Sequence, residues 1–182
     1  MRIGPFTTIA AFQAGLLAGV VTATTASAAD ISTKDIQVLG RSLGFIENLP
    51  AGDLKLAIVF DPANPQSAQE ADAVRKGVGD GLKAGTHVFT PVMVPIDALG
   101  SAGTAGAIFL TSGLGANAAK VGSLSKDKKL PCGTIDIPQV QGGQCLMGIK
   151  TDPKVEIIVN KSVAEAAGIT FDPAFKMLIT QI

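Results

Sequence analysis

Apolar residues recur in two rhythms along this chain. Between Asp30 and Leu49, the positions Ile36, Leu39, Leu43 and Ile46 fall three and four apart, the spacing of one helix face. Ser32 or Thr33 can cap the start of that helix, Asp35 stands in its first turn, and Pro50-Ala51-Gly52-Asp53 ends it. The second rhythm is a short, nearly unbroken apolar run, which suits a strand buried on both faces of a parallel sheet. Leu54–Phe60, Val88–Val94, Ala105–Leu110 and Cys132–Ile137 have this character. Prolines 91 and 95 place the second of these at a sheet edge, because proline cannot donate to a ladder.

Helical stretches alternate with these runs. The loop Asp61–Pro65 leads at Gln66 or Ser67 into a helix reaching about Lys83, with Ala71, Val74, Val78 and Leu82 on its apolar face. Gly77, Gly79 and Gly81 weaken it and are expected to allow close packing on the sheet. A loose helical turn is expected over Ile96–Ser101, and a helix from the glycine turn after Leu110 to about Ser125. Lys126–Lys129 reads as a solvated charged loop. Beyond Pro138 the pattern changes. Gln141-Gly142-Gly143-Gln144 is a turn or bulge, and Cys145–Ile149 and Val155–Val159 form a hairpin around Lys150–Lys154. Ser162–Ala167 is a short helix ending at Gly168, and Asp172-Pro173 starts a last helix or strand. The sum is an α/β fold, with a mostly parallel sheet flanked by helices and a C-terminal antiparallel hairpin.

The first residues add a destination. Arg2, the apolar run Ile9–Val21 and the small residues Ala26-Ser27-Ala28 fit a secretory signal peptide over residues 1–29, cleaved after Ala28 or Ala29. The run is shorter than the roughly 20 residues a membrane-spanning helix needs. The remaining residues 30–182 make one domain with balanced charge and neither Trp nor Tyr. That balance disfavours nucleic acid, and no later segment is apolar enough to hold the exported chain in a membrane. Cys132 and Cys145, an even pair in an exported chain, are expected to form a disulfide.

The chemistry that sequence reveals is sparse. His87 is the single histidine, expected at a surface turn. No Gly-x-Ser-x-Gly elbow or metal-ligand spacing accompanies it, so no catalytic residue, metal or cofactor is expected. Thr111-Ser112-Gly113 with Gly115 forms a glycine turn that can bring backbone N–H groups to an anion, or simply turn the chain. Asp61, Ser112 and Asp136 end strands of the expected parallel sheet. In such sheets ligands bind outside the carboxyl ends of strands, so Asp61, Thr111, Ser112, Gly113 and Asp136 are the candidate ligand-binding residues.

One resemblance is carried by the last fifty residues. Leu130-Pro131-Cys132-Gly133-Thr134-Ile135-Asp136-Ile137-Pro138, then Gly142-Gly143 before an apolar strand, then Val155–Asn160, Ala164–Ile169 and the tail Phe175–Ile182 resemble the YfiR/HmsC family of periplasmic regulatory proteins. Upstream, Phe45–Pro50 is similar to the end of that family's opening helix, with Leu49 where the family has tryptophan. The resemblance implies a non-enzymatic periplasmic regulator that binds and represses a membrane-bound signalling partner such as a diguanylate cyclase, with a homodimer left open. The Asp61–Pro65 loop looks instead like the first strand-loop-helix of periplasmic substrate-binding proteins. The alternative expectation is therefore a small periplasmic protein that binds a ligand for sensing or transport.

Overall fold

The computed structural model describes residues 31–182, so the expected signal peptide lies outside the described residues. Eight strands form one sheet: β1 (Gly52–Phe60), β2 (Leu82–Ala84), β3 (His87–Pro95), β4 (Ala107–Leu110), β5 (Cys132–Thr134), β6 (Met147–Lys150), β7 (Glu156–Val159) and β8 (Thr180–Gln181). Their spatial order is β2-β3-β1-β4-β5-β6-β7-β8. The five strands β3, β1, β4, β5 and β6 run parallel. β2 is antiparallel to β3, β7 is antiparallel to β6, and β8 is parallel to β7. The α/β class and the C-terminal antiparallel pair agree with the sequence pattern.

Alternation along the central strands builds two cores. In β1, Leu56 and Ile58 face one side, and Ala57 and Val59 the other; in β4, Ala107 and Phe109 oppose Ile108 and Leu110. The first face is covered by α1 (Thr33–Leu43) and α2 (Pro65–Val78), through Ile36, Leu39, Leu43, Ala71, Val74 and Val78. The second is covered by a 3-10 segment, Ile96–Thr104, and α3 (Ala118–Lys128), through Ala102, Ala118 and Val121. Burial on both faces explains why these strands read as continuous apolar runs.

Local chemistry sets the helix ends. Ser32 accepts from the Asp35 amide while the Asp35 carboxylate accepts from the Ser32 amide, a reciprocal capping box. Helix α2 stops at Gly79, and Leu82, expected on its apolar face, lies in β2. Gly77 packs against the Ile36 side chain of α1, so it permits helix-on-helix rather than helix-on-sheet approach. Lys126 to Lys128 form the last turn of α3, not a loop, which places cations at the negative end of the helix. Strand β3 is not a sheet edge over its whole length. β2 covers only His87–Phe89, so Pro91 and Pro95 fall where the outer side is open. His87 is buried in that strand, its Nδ1 3.1 Å from the Pro50 carbonyl oxygen, rather than at a surface turn.

The Gly142-Gly143 turn follows a short helix, α4 (Ile137–Gln141), that Pro138 concealed. Cys132 and Cys145 are bonded, with Cα atoms 5.1 Å apart and both residues fully buried. The bridge joins neighbouring strands at the amino end of β5 and just ahead of β6. The chain closes with α5 (Lys161–Ala167) and α6 (Pro173–Lys176). Its last part pairs with its first. Glu47 N–H donates to Thr170 O, Asp172 N–H to Phe45 O, and Asn48 Nδ2 to Gly168 O. Phe45 stacks on Phe175 with ring centroids 4.8 Å apart.

Candidate functional site

The strand order reverses at β1. From β1 the chain passes through α2 and β2 to β3 on one side, then crosses to β4 on the other. The loops after β1 and β4 thus leave in opposite directions and open a crevice at the carboxyl ends of the strands, where α/β proteins seat ligands.

A buried polar frame holds this crevice. Asn64 caps α2, its Oδ1 accepting from the Gln66 and Ser67 amides, and its Nδ2 donates 2.9 Å to Gly113 O. One side chain therefore ties the two loops together. Gly113 has φ of 79°, and a Cβ there would lie 2.6 Å from Asn64 Nδ2, so the turn needs glycine for both conformation and space. Below it, the Thr111 hydroxyl donates to Val59 O at 3.0 Å, which leaves Ser67 as donor in the 2.7 Å contact between Ser67 Oγ and Thr111 Oγ1. Ser67 Oγ in turn accepts from the Asp61 amide. Gln139 Nε2 donates to Thr111 O, and Gln139 Oε1 accepts from the Thr134 hydroxyl, which accepts from the Asp136 amide. This chain of bonds links β1, α2, β4, β5 and α4 and is internally satisfied, as a rigid polar core requires.

One acid beside this frame is incompletely paired. Glu70 is 7 % exposed, and its Oε2 accepts from the Ser112 amide at 3.0 Å. Its Oε1 is buried and has no hydrogen-bond partner. Burial, with a smaller contribution from the charge of Asp136 and against the bonds from Ser112, pushes the Glu70 carboxyl up to about 7. Burial also raises the Asp136 carboxyl above its usual range. Asp136 stands at the start of α4 but makes no capping hydrogen bond with its side chain.

Above this frame lies a cavity of about 400 Å³ lined by Gln66, Ser112, Ile135, Asp136, Ile137, Pro138 and Lys150. A second of about 450 Å³, lined among others by Asp35, Ile149, Thr151 and Asp152, shares Ile135 and Lys150 with it. Of the candidate residues, Ser112 and Asp136 line the first cavity. Gly113 shapes the turn, and Asp61 accepts from the Ala63 amide in the loop before α2. Thr111 is fully buried with its hydroxyl engaged, so it lies beneath the crevice rather than on its surface. Sequence reading passed over Asn64, Glu70, Gln139 and Lys150. Glu70 had one signal: an acid beside Ala71 and Val74 on the apolar face of α2. The disulfide is at the opposite, amino end of the strands.

Among the described residues, no group of three or more His, Cys, Asp or Glu is placed to hold a metal ion, and no helix is long and apolar enough to cross a membrane. No family model and no curated protein sequence matches this chain. Solved structures do resemble it. A conserved domain protein from Vibrio cholerae O1 biovar El Tor has a TM-score of 0.60 at 12 % identity, covering 82 % of this chain and 59 % of its own. The ligand-free, open structure of a substrate-binding protein with adhesive properties from Clostridium difficile has 0.60 at 11 %, covering 82 % and 58 %. The ABC domain in complex with L-Trp from Streptococcus pneumonia has 0.57 at 11 %, covering 82 % and 59 %. At these identities the likeness is one of fold. The present chain spans less than two thirds of the length of each of these proteins.

Proposed function

We propose that this chain is an exported, non-catalytic binding protein for a small molecule, with the ligand seated at the carboxyl ends of β4, β5 and β6. The carrying observation is the cavity beside the strand-order reversal, lined by Gln66, Ser112, Asp136 and Lys150 and resting on a hydrogen-bonded buried frame. A few convergent polar groups in a concave site at a switch point are what small-molecule recognition needs. The likeness to a substrate-binding protein and to a domain holding L-Trp supports the same reading. A thermal-shift screen of the chain from Asp30, with L-tryptophan among the amino acids and small anions, tests it. A ligand at a hundredfold its Kd raises stability by about 2.7 kcal/mol. A screen in which no compound raises the melting temperature counts against the reading.

A second reading keeps the regulatory role. Met177 and Leu178 are 82 % and 71 % exposed near the C-terminus, and Ile182 lies exposed beyond them. Such a patch suits a protein partner, for example the periplasmic domain of a diguanylate cyclase. Pull-down with the exported chain as bait, compared with a Met177→Ser/Leu178→Ser variant, tests it. Identical capture by both would remove that patch from consideration.

A further inference from the structure

We infer that the chain carries a second binding site, for a small organic dianion, at the amino ends of β1, β4 and β5. This site lies at the opposite end of the sheet from the cavity proposed above and does not depend on it. A cavity of about 450 Å³ opens there, with three lysines, Lys55, Lys128 and Lys129, in its wall and a single acid, Asp53. None of the three lysines forms an ion pair with any of the described residues. Asp53 offsets one of their charges, which leaves two for a ligand to match. The whole chain has 15 basic and 15 acidic residues, so the excess is local and not the by-product of a basic protein.

The fold brings these lysines together. In β1, Leu54, Leu56 and Ile58 face the α1 and α2 side, so strand alternation turns Lys55 toward the α3 side. Lys128 and Lys129 arrive on that side from the end of α3. The Lys128 side chain lies over the 3-10 segment, where a Cβ at Gly103 would be 3.6 Å from its Cε. Lys129 has φ 55° and ψ 40° and is the only non-glycine residue with positive φ among the described residues. Glycine ends helices in this conformation without steric cost, so a lysine there is disfavoured by folding alone. The helix dipole accounts for cations in the last turn of α3, such as Lys126 and Lys128. It accounts neither for Lys55 nor for the backbone of Lys129. A dianion bonded to the ammonium groups offsets their mutual repulsion. Pro50, Leu54 and Leu130 line the same cavity, so the anion it suits carries an apolar body.

Isothermal titration and ¹⁵N-resolved spectra of the chain from Asp30, at low and at near-physiological salt, test the site. The probes are phenyl phosphate and phthalate as apolar dianions, benzoate as a monoanion and benzylamine as a cation. The expected result is that a dianion binds, shifts the Gly106, Lys129 and Leu130 amides, and weakens as salt rises. Benzoate binds about tenfold more weakly, and benzylamine leaves these amides unmoved. Lys55→Gln and Lys129→Gly each weaken the dianion by about threefold or more. Lys129→Gly removes the charge from a backbone conformation that glycine accepts, so it stays folded and separates lost binding from lost structure. Equal affinity of the dianion for wild type and both variants overturns the inference. Benzoate binding as tightly as the dianions does the same, as do shifts confined to Ser112 and Asp136. Spectra in which no dianion moves an amide of this cavity also overturn it, and leave the reading of the carboxyl-end site untouched.

Discussion

Replacing Glu70 by glutamine should change how stability depends on pH more than it changes stability itself. In the folded chain the Glu70 carboxyl is pushed from 4.5 up to about 7, chiefly by burial. A group whose folded pKa is raised binds its proton more tightly in the folded state. Its stabilising contribution is therefore fully present below the unfolded value and is lost as pH rises through the folded one. At about 1.36 kcal/mol per pKa unit, the loss between pH 4 and pH 8.5 is about 3 kcal/mol. For a domain of this size that corresponds to about 6–12 °C in melting temperature. Glutamine keeps the shape and can still accept from the Ser112 amide, but it does not titrate. Its own unpaired amide group subtracts a constant amount at every pH. The informative quantity is the difference between wild type and Glu70→Gln, because groups that do not interact with Glu70 contribute equally to both proteins and cancel. Thermal unfolding by far-ultraviolet circular dichroism across pH 4–8.5 should show the variant gaining on the wild type as pH rises, with most of the gain between pH 5 and pH 7.5. A melting-temperature difference that stays constant over that range would refute the account of Glu70 as a desolvated, half-paired acid.

Other substitutions test the frame around it. Asn64→Ala removes both the cap of α2 and the bond to Gly113 O; a loss of about 1–2 kcal/mol in urea unfolding is expected. Gly113→Ala places a methyl group 2.6 Å from Asn64 Nδ2 at a φ of 79°. It should destabilise by about 1–3 kcal/mol and perturb the Asn64 side-chain amide in nuclear magnetic resonance spectra. The double substitution Cys132→Ala/Cys145→Ala opens a bridge between residues 13 apart. Chain entropy alone predicts a loss of about 3 kcal/mol, seen as a lower urea midpoint.

How much of this was legible depends on where the determining force acts. Helix α1 was legible because its cap, its first-turn acid and its apolar face all lie within a dozen neighbouring residues. The central strands were legible because burial on two faces leaves only apolar residues. Strand β2 was not, since Leu82-Lys83-Ala84 carries no period of its own and is a strand only because His87–Phe89 lies beside it. Leu82 also continues the apolar spacing of α2, and only the break at Gly79 separates the two. Helix α4 was hidden by Pro138, which reads as a breaker but sits in a first turn, where no amide is required. The site divided in the same way. Asp61, Ser112 and Asp136 could be placed at strand ends because those ends can be read from apolar runs, though only Ser112 and Asp136 line the cavity. Glu70 was passed over because its importance lies in an interaction with Ser112, 42 residues away, that no local pattern announces.

The pairing of the first loop with the last has a consequence for the order in which the molecule is made. Asn48 exchanges bonds with Gly168 and Thr170, residues 120 and 122 positions later. During synthesis at about 5–20 residues per second, the early side of this ladder waits roughly 6–24 s for the late side to appear. For that interval Phe45 has no Phe175 to stack upon, and α1 lacks part of its final packing. Contacts this far apart also slow the last closure once both sides are present. Such a chain stays incompletely folded until Gly168, Thr170 and Phe175 have been made, a property that favours passage through a channel ahead of folding.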